Sequence, residues 1–215
     1  MSELPVRPAA TLILMREGEG APQMLMVRRT RAMAFAAGAW VWPGGRVDKA
    51  DELAAAAQAH EDAAFRIAAI RETHEEVGID LGDDLDQLTP FARWLPNFNV
   101  ERRFDTLFYL ARAPEGAAIA KLQQGEIAEA CWTSASAMLE RIEAGDATAI
   151  FPTKRNLERL AQYASIAEAL DDAARYPIAP ITPWVEQRGG EDHVVIADDI
   201  GYPVTSEPLT SAIRA

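Results

Sequence analysis

Cysteine and long hydrophobic runs are both scarce in this sequence. Cys131 is the only cysteine among 215 residues, so no internal disulfide can form, and a reducing cytoplasm is the expected compartment. The first apolar run, residues 9–15, is too short for a signal peptide or a membrane span, and the charged pair Arg16 and Glu17 follows it. We therefore expect a soluble protein that is not secreted.

Basic residues are also few compared with acidic ones. The chain has 21 Lys and Arg residues against 33 Asp and Glu residues, a net charge of −12 at pH 7, and its pI is about 4.7. Such an acidic surface is repelled by phosphate backbones and anionic headgroups, so neither a nucleic acid polymer nor a membrane is an expected partner. The sequence shows no internal repeat, and its length suits one domain with a terminal extension.

Part of the negative charge is concentrated in residues 71–79, R-E-T-H-E-E-V-G-I. On a helix, Glu72, Glu75 and Glu76 stand at i, i+3 and i+4, so the spacing predicts three carboxylates on one face. Their mutual repulsion destabilises the bare helix, and a hard cation such as Mg²⁺ or Mn²⁺ turns that repulsion into a binding site. The opposite face is predicted to pack through the side chains of Ala63, Ile67, Ile70, His74 and Val77.

The alternative is an ordinary acidic helix face exposed to solvent. Two neighbouring features favour a site instead. Arg71 lies four residues before Glu75, where an ion pair would fix the rotamer of that carboxylate. Upstream, the turn W-P-G-G at residues 42–45 can bring its backbone close to a ligand or metal, because its glycines carry no Cβ. Gly78 is predicted to end the helix.

The pattern R-E-x-x-E-E-x-G-I after a P-G-G turn resembles the Nudix box of the Nudix hydrolases, and the resemblance covers roughly residues 9–170. It implies an α/β fold, an α/β/α sandwich around a mixed sheet, and hydrolysis of a small-molecule diphosphate linked to some other group X. It also implies that an Mg²⁺ or Mn²⁺ ion is bound. The implied ligands are Glu72, Glu75, Glu76 and a backbone carbonyl of Gly45 or Gly44. In this pattern Arg71 orients a glutamate and does not contact the substrate.

One departure from the family pattern lies between the turn and the helix. Residues 48–61 contain an Ala-rich insertion, and Ala63 stands where the usual box has a further glutamate. Either Glu61 substitutes for that glutamate, or its role is absent. The insertion, the P-G-G-R-V-D start and the segment R-R-F-D-T at 102–106 resemble the branch that includes coenzyme A diphosphatases. Coenzyme A or an acyl derivative is therefore the expected substrate, with ADP-ribose, nucleotide sugars and dinucleotides as alternatives.

Basic side chains outside the box are candidates for holding substrate phosphates. The candidates are Arg28, Arg29 and Arg103. Arg28 and Arg29 lie in a first short cluster with Arg31, and Arg103 lies in a second one with Arg102. Solvent-exposed surface is the alternative for the first cluster, and pairing with a loop carboxylate is the alternative for Arg103. Phe98 and Phe104 either stack on a base or, as we expect, pack in the core.

The resemblance also implies an acidic residue near position 126, as an extra metal ligand or as the base for the attacking water. Glu126 is the first candidate for this acidic role, and Glu129 is the second. Without the resemblance, both would be interpreted as ordinary surface residues. Two alternatives to an enzyme are a non-catalytic module that senses a nucleotide and an acidic structural domain without a ligand. The intact glutamate trio argues against the sensor, because a sensor need not keep all three.

Hydrophobic patterns predict the remaining architecture. Strands are expected at residues 9–15 and 23–28, which form a hairpin, and at 40–42, 91–94 and 107–111. Helices are expected at 51–76 with a break near 60–62, at 134–144, and from residue 151 onward, where an apolar stripe runs from 157 to 170. We place the catalytic domain at residues 1–150. Residues 151–215 then form a helix and an extended tail that packs on the same domain or across a homodimer.

Overall fold

The structure is a computed structural model that describes residues 5–96 and 103–212. Within these residues the strands are β1 Val6–Arg16, β2 Gln23–Arg29, β3 Trp40–Val41, β4 Gly44–Arg46, β5 Thr89–Trp94, β6 Arg103–Arg112, β7 Ile127–Ser134, β8 Pro180–Ile181, β9 Trp184–Arg188, β10 Glu191–Val195 and β11 Ser206–Pro208. The helices are α1 Lys49–Ala55, α2 Ala63–Val77, α3 Ala135–Glu143, α4 Phe151–Leu160, α5 Ile166–Ala173 and α6 Leu209–Ala212. The chain is of the α/β class, as the sequence predicts.

A mixed sheet forms the centre of the molecule. Its strand order is β3-β2-β1-β6-β5-β8, with β4 also pairing with β1 and β7 with β2, and a separate small sheet has the order β11-β10-β9. Strand β1 runs parallel to β6 and antiparallel to β2, in the predicted hairpin. Because β1 lies inside the sheet with both faces covered, Leu12, Ile13 and Leu14 are all fully buried.

The two faces of the sheet belong to two separate hydrophobic cores. Leu12 and Leu14 belong to the core under α2, whereas Ile13 belongs to the core shared with α3, α4 and α5. This alternation follows because successive side chains of a strand point to opposite faces. Helices therefore cover both faces of the sheet.

The packing face of α2 differs from the predicted one. Its buried residues are mostly small or polar: Ala63, Arg66, Ala68, Ala69, Thr73, Glu76 and Val77. Ala63 and Val77 are buried as predicted, and Ile70 is half-buried against the core. Ile67 is only half-buried and His74 is exposed, so the buried face is rotated from the predicted one. Small side chains allow α2 to lie close to β1 and β4. The apolar pattern does not predict which face makes this contact, because alanines occur all around the helix. One consequence is that Glu76 faces the protein interior.

The predicted break separates α1 from α2, and a capping box begins α1. The Asp48 carboxylate accepts from the N–H groups of Ala50 at 2.8 Å and Asp51 at 3.1 Å. In return, the Asp51 carboxylate accepts from the N–H of Asp48 at 2.9 Å. At the other end of the region, Gly78 takes a left-handed conformation with φ 73° and ends α2 as predicted. Asp51 is thereby fixed a few residues after the glycine turn.

The apolar stripe predicted after residue 151 forms two helices, α4 and α5, because Ser165 caps a new helix by accepting from the Glu168 N–H at 3.2 Å. Leu157, Ile166 and Tyr202 are buried in the core beneath the sheet. The domain boundary at residue 150 and the homodimer stay predictions. Among the helices of the described residues, none is long and apolar enough to cross a membrane.

Candidate active site

The glycine turn lies directly against α2. Gly44 and Gly45 belong to β4, which pairs with β1. A Cβ on Gly45 would overlap the Glu72 carboxylate, and a Cβ on Gly44 would overlap Thr11 of β1. The N–H of Gly44 donates to Glu76 Oε2 at 3.3 Å. Gly45 is therefore needed for the turn to approach Glu72 this closely, and Gly44 is needed for the turn to approach β1.

Three glutamates here repel one another: Glu72, Glu76 and Glu126. Glu76 is only 2% exposed, and its burial, together with the charges of Glu72 and Glu126, raises its pKa to about 8. Burial also raises the pKa of Glu72, although Arg71 beside it acts in the opposite direction. The loop that carries Glu126 is tied to the end of β2, because the N–H of Thr30 donates to the Glu126 carbonyl at 2.8 Å. A cation among these carboxylates would remove the repulsion.

Arg71 links the insertion, the glycine turn and α2. Its Nε and Nη2 donate to the two carboxylate oxygens of Asp51 at 3.0 and 2.9 Å, and Nη2 also donates to the Arg46 carbonyl at 3.0 Å. Its Nη1 donates to Glu72 Oε1 at 3.0 Å and to Glu75 Oε2 at 3.1 Å. The hydrogen bond with Asp51 is the main reason why the pKa of Arg71 lies above its ordinary value. Arg71 therefore holds two glutamates while Asp51 holds Arg71.

Asp51 is the residue that the sequence analysis missed. Glu61, considered as the substitute for the missing box glutamate, is exposed, and the described contacts of Arg71 do not include it. Asp51 is 2% exposed and is the buried carboxylate that pairs with Arg71. The available signal was the capping pattern D-x-x-D at residues 48–51, because it predicts a helix that begins immediately after the turn.

A cavity of about 480 Å³ opens beside these groups. Its charged lining residues are Arg7, Arg29, Arg46, Glu72, Glu75 and Glu126. Its aromatic and aliphatic lining includes Phe35, Trp42, Trp94, Phe104, Phe108 and Ile150. Volumes of this size hold small ligands. The lining suits an anionic ligand that carries an apolar group and is accompanied by a cation.

Only one of the three arginines predicted to hold phosphates lines this cavity, and it is Arg29. Arg28 instead pairs with Glu129 across the β2–β7 pair at 3.1 Å, because neighbouring residues of a strand point to opposite faces. That pairing also engages Glu129, the second candidate for the acidic role. Arg103 lies at the start of β6 and is not among the described lining residues.

Two basic lining residues, Arg7 and Arg46, were not predicted. The position of Arg46 directly after the glycine turn could have indicated that it lies at the site. No pattern in the sequence around Arg7 indicates that Arg7 lies there. Phe104, expected in the core, is half-buried and lines the cavity. Phe98 and Arg102 lie outside the described residues.

Three lining residues carry a buried polar atom without a hydrogen-bond partner among the described residues: Arg29 Nε, Trp42 Nε1 and Gln123 Oε1. Buried polar atoms are nearly always paired, so a bound molecule or ion is expected near them. Within residues 5–96 and 103–212, no three His, Cys, Asp or Glu side chains are arranged as a group that could hold a metal ion. The donor chemistry nevertheless fits a hard divalent ion, because carboxylates are its preferred ligands.

Comparisons with known proteins identify the family and the fold of this chain. A profile of the NUDIX domain matches residues 5–152. The structure is similar to that of a NUDIX hydrolase from Alicyclobacillus acidocaldarius, with a TM-score of 0.72 and 27% identity over 79% of this chain and 97% of that chain. It shares its fold with the NUDIX domain of Shewanella oneidensis NrtR complexed with ADP ribose, with a TM-score of 0.52 and 14% identity over 74% of this chain and 86% of that chain. No curated protein matches the sequence.

Proposed function

The chain belongs to the Nudix family and is a Nudix pyrophosphohydrolase that acts on nucleoside diphosphate derivatives, and we propose that its substrate is coenzyme A or an acyl derivative. The observation that carries the proposal is the cavity, which glutamates, arginines and aromatic side chains line together. ADP-ribose, nucleotide sugars and dinucleotides are the alternative substrates. The motifs that resemble the coenzyme A branch favour the first choice.

The proposed reaction depends on a divalent metal ion, as Nudix hydrolases generally do, and the proposed ion is Mg²⁺ or Mn²⁺. The proposed ligands are Glu72, Glu75, Glu76 and the carbonyl of Gly45. A bound ion would offset the charge of the diphosphate and lower the pKa of a water molecule. Support comes from the burial of Glu76 and its repulsion by Glu72, since a cation relieves both.

Arg71 is proposed to act through other residues and not on the substrate. Its Nη1 holds Glu72 and Glu75, while Asp51 fixes the other edge of the guanidinium group. Glu126 is proposed as a further ligand or as the base that takes the proton of the attacking water. Its position in the cavity lining supports either role.

Arginines are proposed to hold the phosphates of the substrate. Arg29 has the strongest support, because it lines the cavity and its Nε has no partner among the described residues. Arg7 and Arg46 line the same cavity, and a 3′-phosphate beyond the diphosphate requires more than one cation. Arg28 and Arg103 stay in the proposal with less support, since neither is among the lining residues.

A substrate panel assayed with Mg²⁺ or Mn²⁺ tests the proposal. Coenzyme A, its 3′-dephosphorylated form, ADP-ribose, a nucleotide sugar and a dinucleotide are incubated with the enzyme, and the products are separated by chromatography. We expect coenzyme A to give 3′-phosphorylated adenosine monophosphate and a phosphopantetheine, with a higher kcat/KM than the dephosphorylated form. Equal values, or a preference for ADP-ribose, would remove the coenzyme A assignment and leave the diphosphatase chemistry intact.

Glutamate variants test the metal site in the same assay. Glu75→Gln and Glu76→Gln each remove a charge with little change of shape, so kcat should fall by about 100-fold or more, since changes outside the ligand shell alone cost about 10- to 100-fold. Glu61→Gln is the matched control, because Glu61 is exposed, and it should keep normal turnover. Near-normal turnover of both site variants at saturating Mg²⁺ would show that the metal assignment is wrong.

A further inference from the structure

The loop between β2 and β3 places an exposed aromatic ring in the lining of the cavity. Phe35 is 42% exposed, although burying a phenylalanine is strongly favourable. The same cavity is lined by Glu72 and Arg29. The ring is therefore kept open to solvent beside the groups proposed to bind the diphosphate.

The backbone of this loop is held in place on both sides of Phe35. The N–H of Met33 donates to the Thr30 carbonyl at 3.3 Å, and the N–H of Ala39 donates to the Ala36 carbonyl at 3.1 Å. Ala36 itself has φ 51°, a left-handed conformation that is unfavourable for a residue with a Cβ. Such a conformation persists only where the surrounding structure enforces it, so the exposure of Phe35 is built into the loop.

A second aromatic ring lies next to Phe35. The centroid of Phe104, at the start of β6, is 5.5 Å from that of Phe35, and the two rings are inclined at 51°. Rings at this angle do not stack on each other, so a face of the exposed ring stays available to a third planar group. Phe104 also lines the cavity, which makes the pair part of the ligand site.

We propose that Phe35 and Phe104 form a stacking subsite for the nucleobase of the substrate. The proposal rests on the proposed function, because a nucleobase is the planar group that every nucleoside diphosphate derivative carries. Aromatic side chains stack on any base through its π-face and make no hydrogen bonds that would read its identity. The two rings therefore select a substrate that has a base, and they contribute little to the choice among bases.

Kinetics of Phe35 variants test this subsite. For nucleoside diphosphate substrates, Phe35→Ala should lower kcat/KM by about 5- to 150-fold, mainly through KM, because stacking on one aromatic ring accounts for that range. Phe35→Trp should restore most of the loss, whereas Phe35→Leu should not. A ribosyl diphosphate ester without a base should be a poor substrate, and its kcat/KM should be the same with the wild type and with Phe35→Ala.

The matched control is Trp184→Ala, because Trp184 is an equally exposed aromatic residue, 42%, that is not among the described lining residues of the cavity. It should leave every rate unchanged. An equal loss on the base-free ester, or no loss on any substrate, would overturn the stacking subsite. So would strong hydrolysis of a long-chain dialkyl diphosphate that depends on Phe35, since the rings would then bind a chain and not a base.

Equilibrium binding separates this inference from the proposed function. Calorimetric titration with ADP after removal of divalent ions needs no turnover, and it should show weaker binding to Phe35→Ala than to the wild type. If no diphosphate substrate is hydrolysed but this difference is present, the subsite stands and the proposed function fails. If hydrolysis occurs and ADP binds both proteins equally, the subsite fails and the proposed function stands.

Discussion

Replacing Asp51 by asparagine tests how α1 supports Arg71. Asp51 is 2% exposed, and its two oxygens accept hydrogen bonds from Arg71 Nε, Arg71 Nη2 and the N–H of Asp48. An asparagine has nearly the same shape but only one acceptor oxygen. Its amide NH₂ would face an N–H group of Arg71 or Asp48, so at least one hydrogen bond is lost. The neutral amide also removes the main counter-charge of the Arg71 guanidinium.

The size of the effect follows from these contacts. A hydrogen bond to a charged group contributes about 1.5–3 kcal/mol, and breaking a buried ion pair by removing one partner costs about 3–5 kcal/mol. The Arg71 side chain is 25% exposed, so water offsets part of this cost. We expect Asp51→Asn to lower the free energy of unfolding by about 2–3 kcal/mol.

The same substitution should weaken the site. Without Asp51, Arg71 is free to pair more closely with Glu72 and Glu75, and those carboxylates then become less available to a cation. We expect kcat/KM to fall by about 10- to 100-fold, with a higher Mg²⁺ concentration needed for half-maximal rate.

Urea denaturation with an unchanged m value would measure the stability loss, and an Mg²⁺ titration of the rate would measure the effect on the site. Glu61→Gln is the control, because Glu61 is an exposed carboxylate between α1 and α2. The reasoning would be refuted if Asp51→Asn left both stability and Mg²⁺ dependence unchanged, or if Glu61→Gln caused an equal loss.

Three further predictions concern the turn, the buried glutamate and the arginines. Gly45→Ala should reduce kcat by about 10-fold or more in the steady-state assay, since its Cβ would displace the Glu72 carboxylate. In EDTA-treated protein burial raises the pKa of Glu76 from 4.5 to about 8, so urea-measured stability should fall from pH 4.5 to 8. Glu76→Gln should make that slope shallower without removing it, because burial also raises the pKa of Glu72 and raises that of Glu158 to about 7. Arg29→Leu should raise KM by about 10-fold or more, because a charge-assisted phosphate contact is lost. Arg28→Leu should raise KM much less, because Arg28 pairs with Glu129 and is not among the described lining residues of the cavity.

Local signals predicted the elements that frame the site. Gly78 ends α2 because a left-handed residue is needed there, and Ser134 begins α3 by accepting from the Ala137 N–H at 3.2 Å. Both depend on residues close in sequence, so the pattern is sufficient. The hairpin of β1 and β2 was predictable for the same reason.

The contacts that complete the site were not predictable in this way, because they join distant residues. Arg71 and Asp51 are 20 residues apart, and no local pattern states which carboxylate of the insertion meets the guanidinium. Arg7 enters the cavity lining only through the pairing of β1 in the sheet. Phe35 enters it through a loop whose conformation includes an unfavourable φ at Ala36, and a sequence pattern does not predict such a conformation.

The adjacent pairs Arg28–Arg29 and Glu75–Glu76 show why residue type alone did not assign roles. In β2, Arg28 faces Glu129 while Arg29 lines the cavity, because side chains alternate along a strand. On α2, a rotation of about 100° per residue leaves Glu75 exposed and held by Arg71, while Glu76 is buried against the turn.

The burial of Glu76 also explains why the support for Arg71 has to come from elsewhere. Burial beside Glu72 and Glu126 makes the charged form of Glu76 unfavourable in the absence of a cation. If Arg71 were free to move into this cluster, it would neutralise the glutamates in place of a metal ion. The bidentate pair with Asp51 keeps two of its nitrogens turned away, so only Nη1 reaches Glu72 and Glu75. The pair with Asp51 therefore leaves Glu72 and Glu75 held by Nη1 of Arg71 alone, which is compatible with the proposed divalent ion.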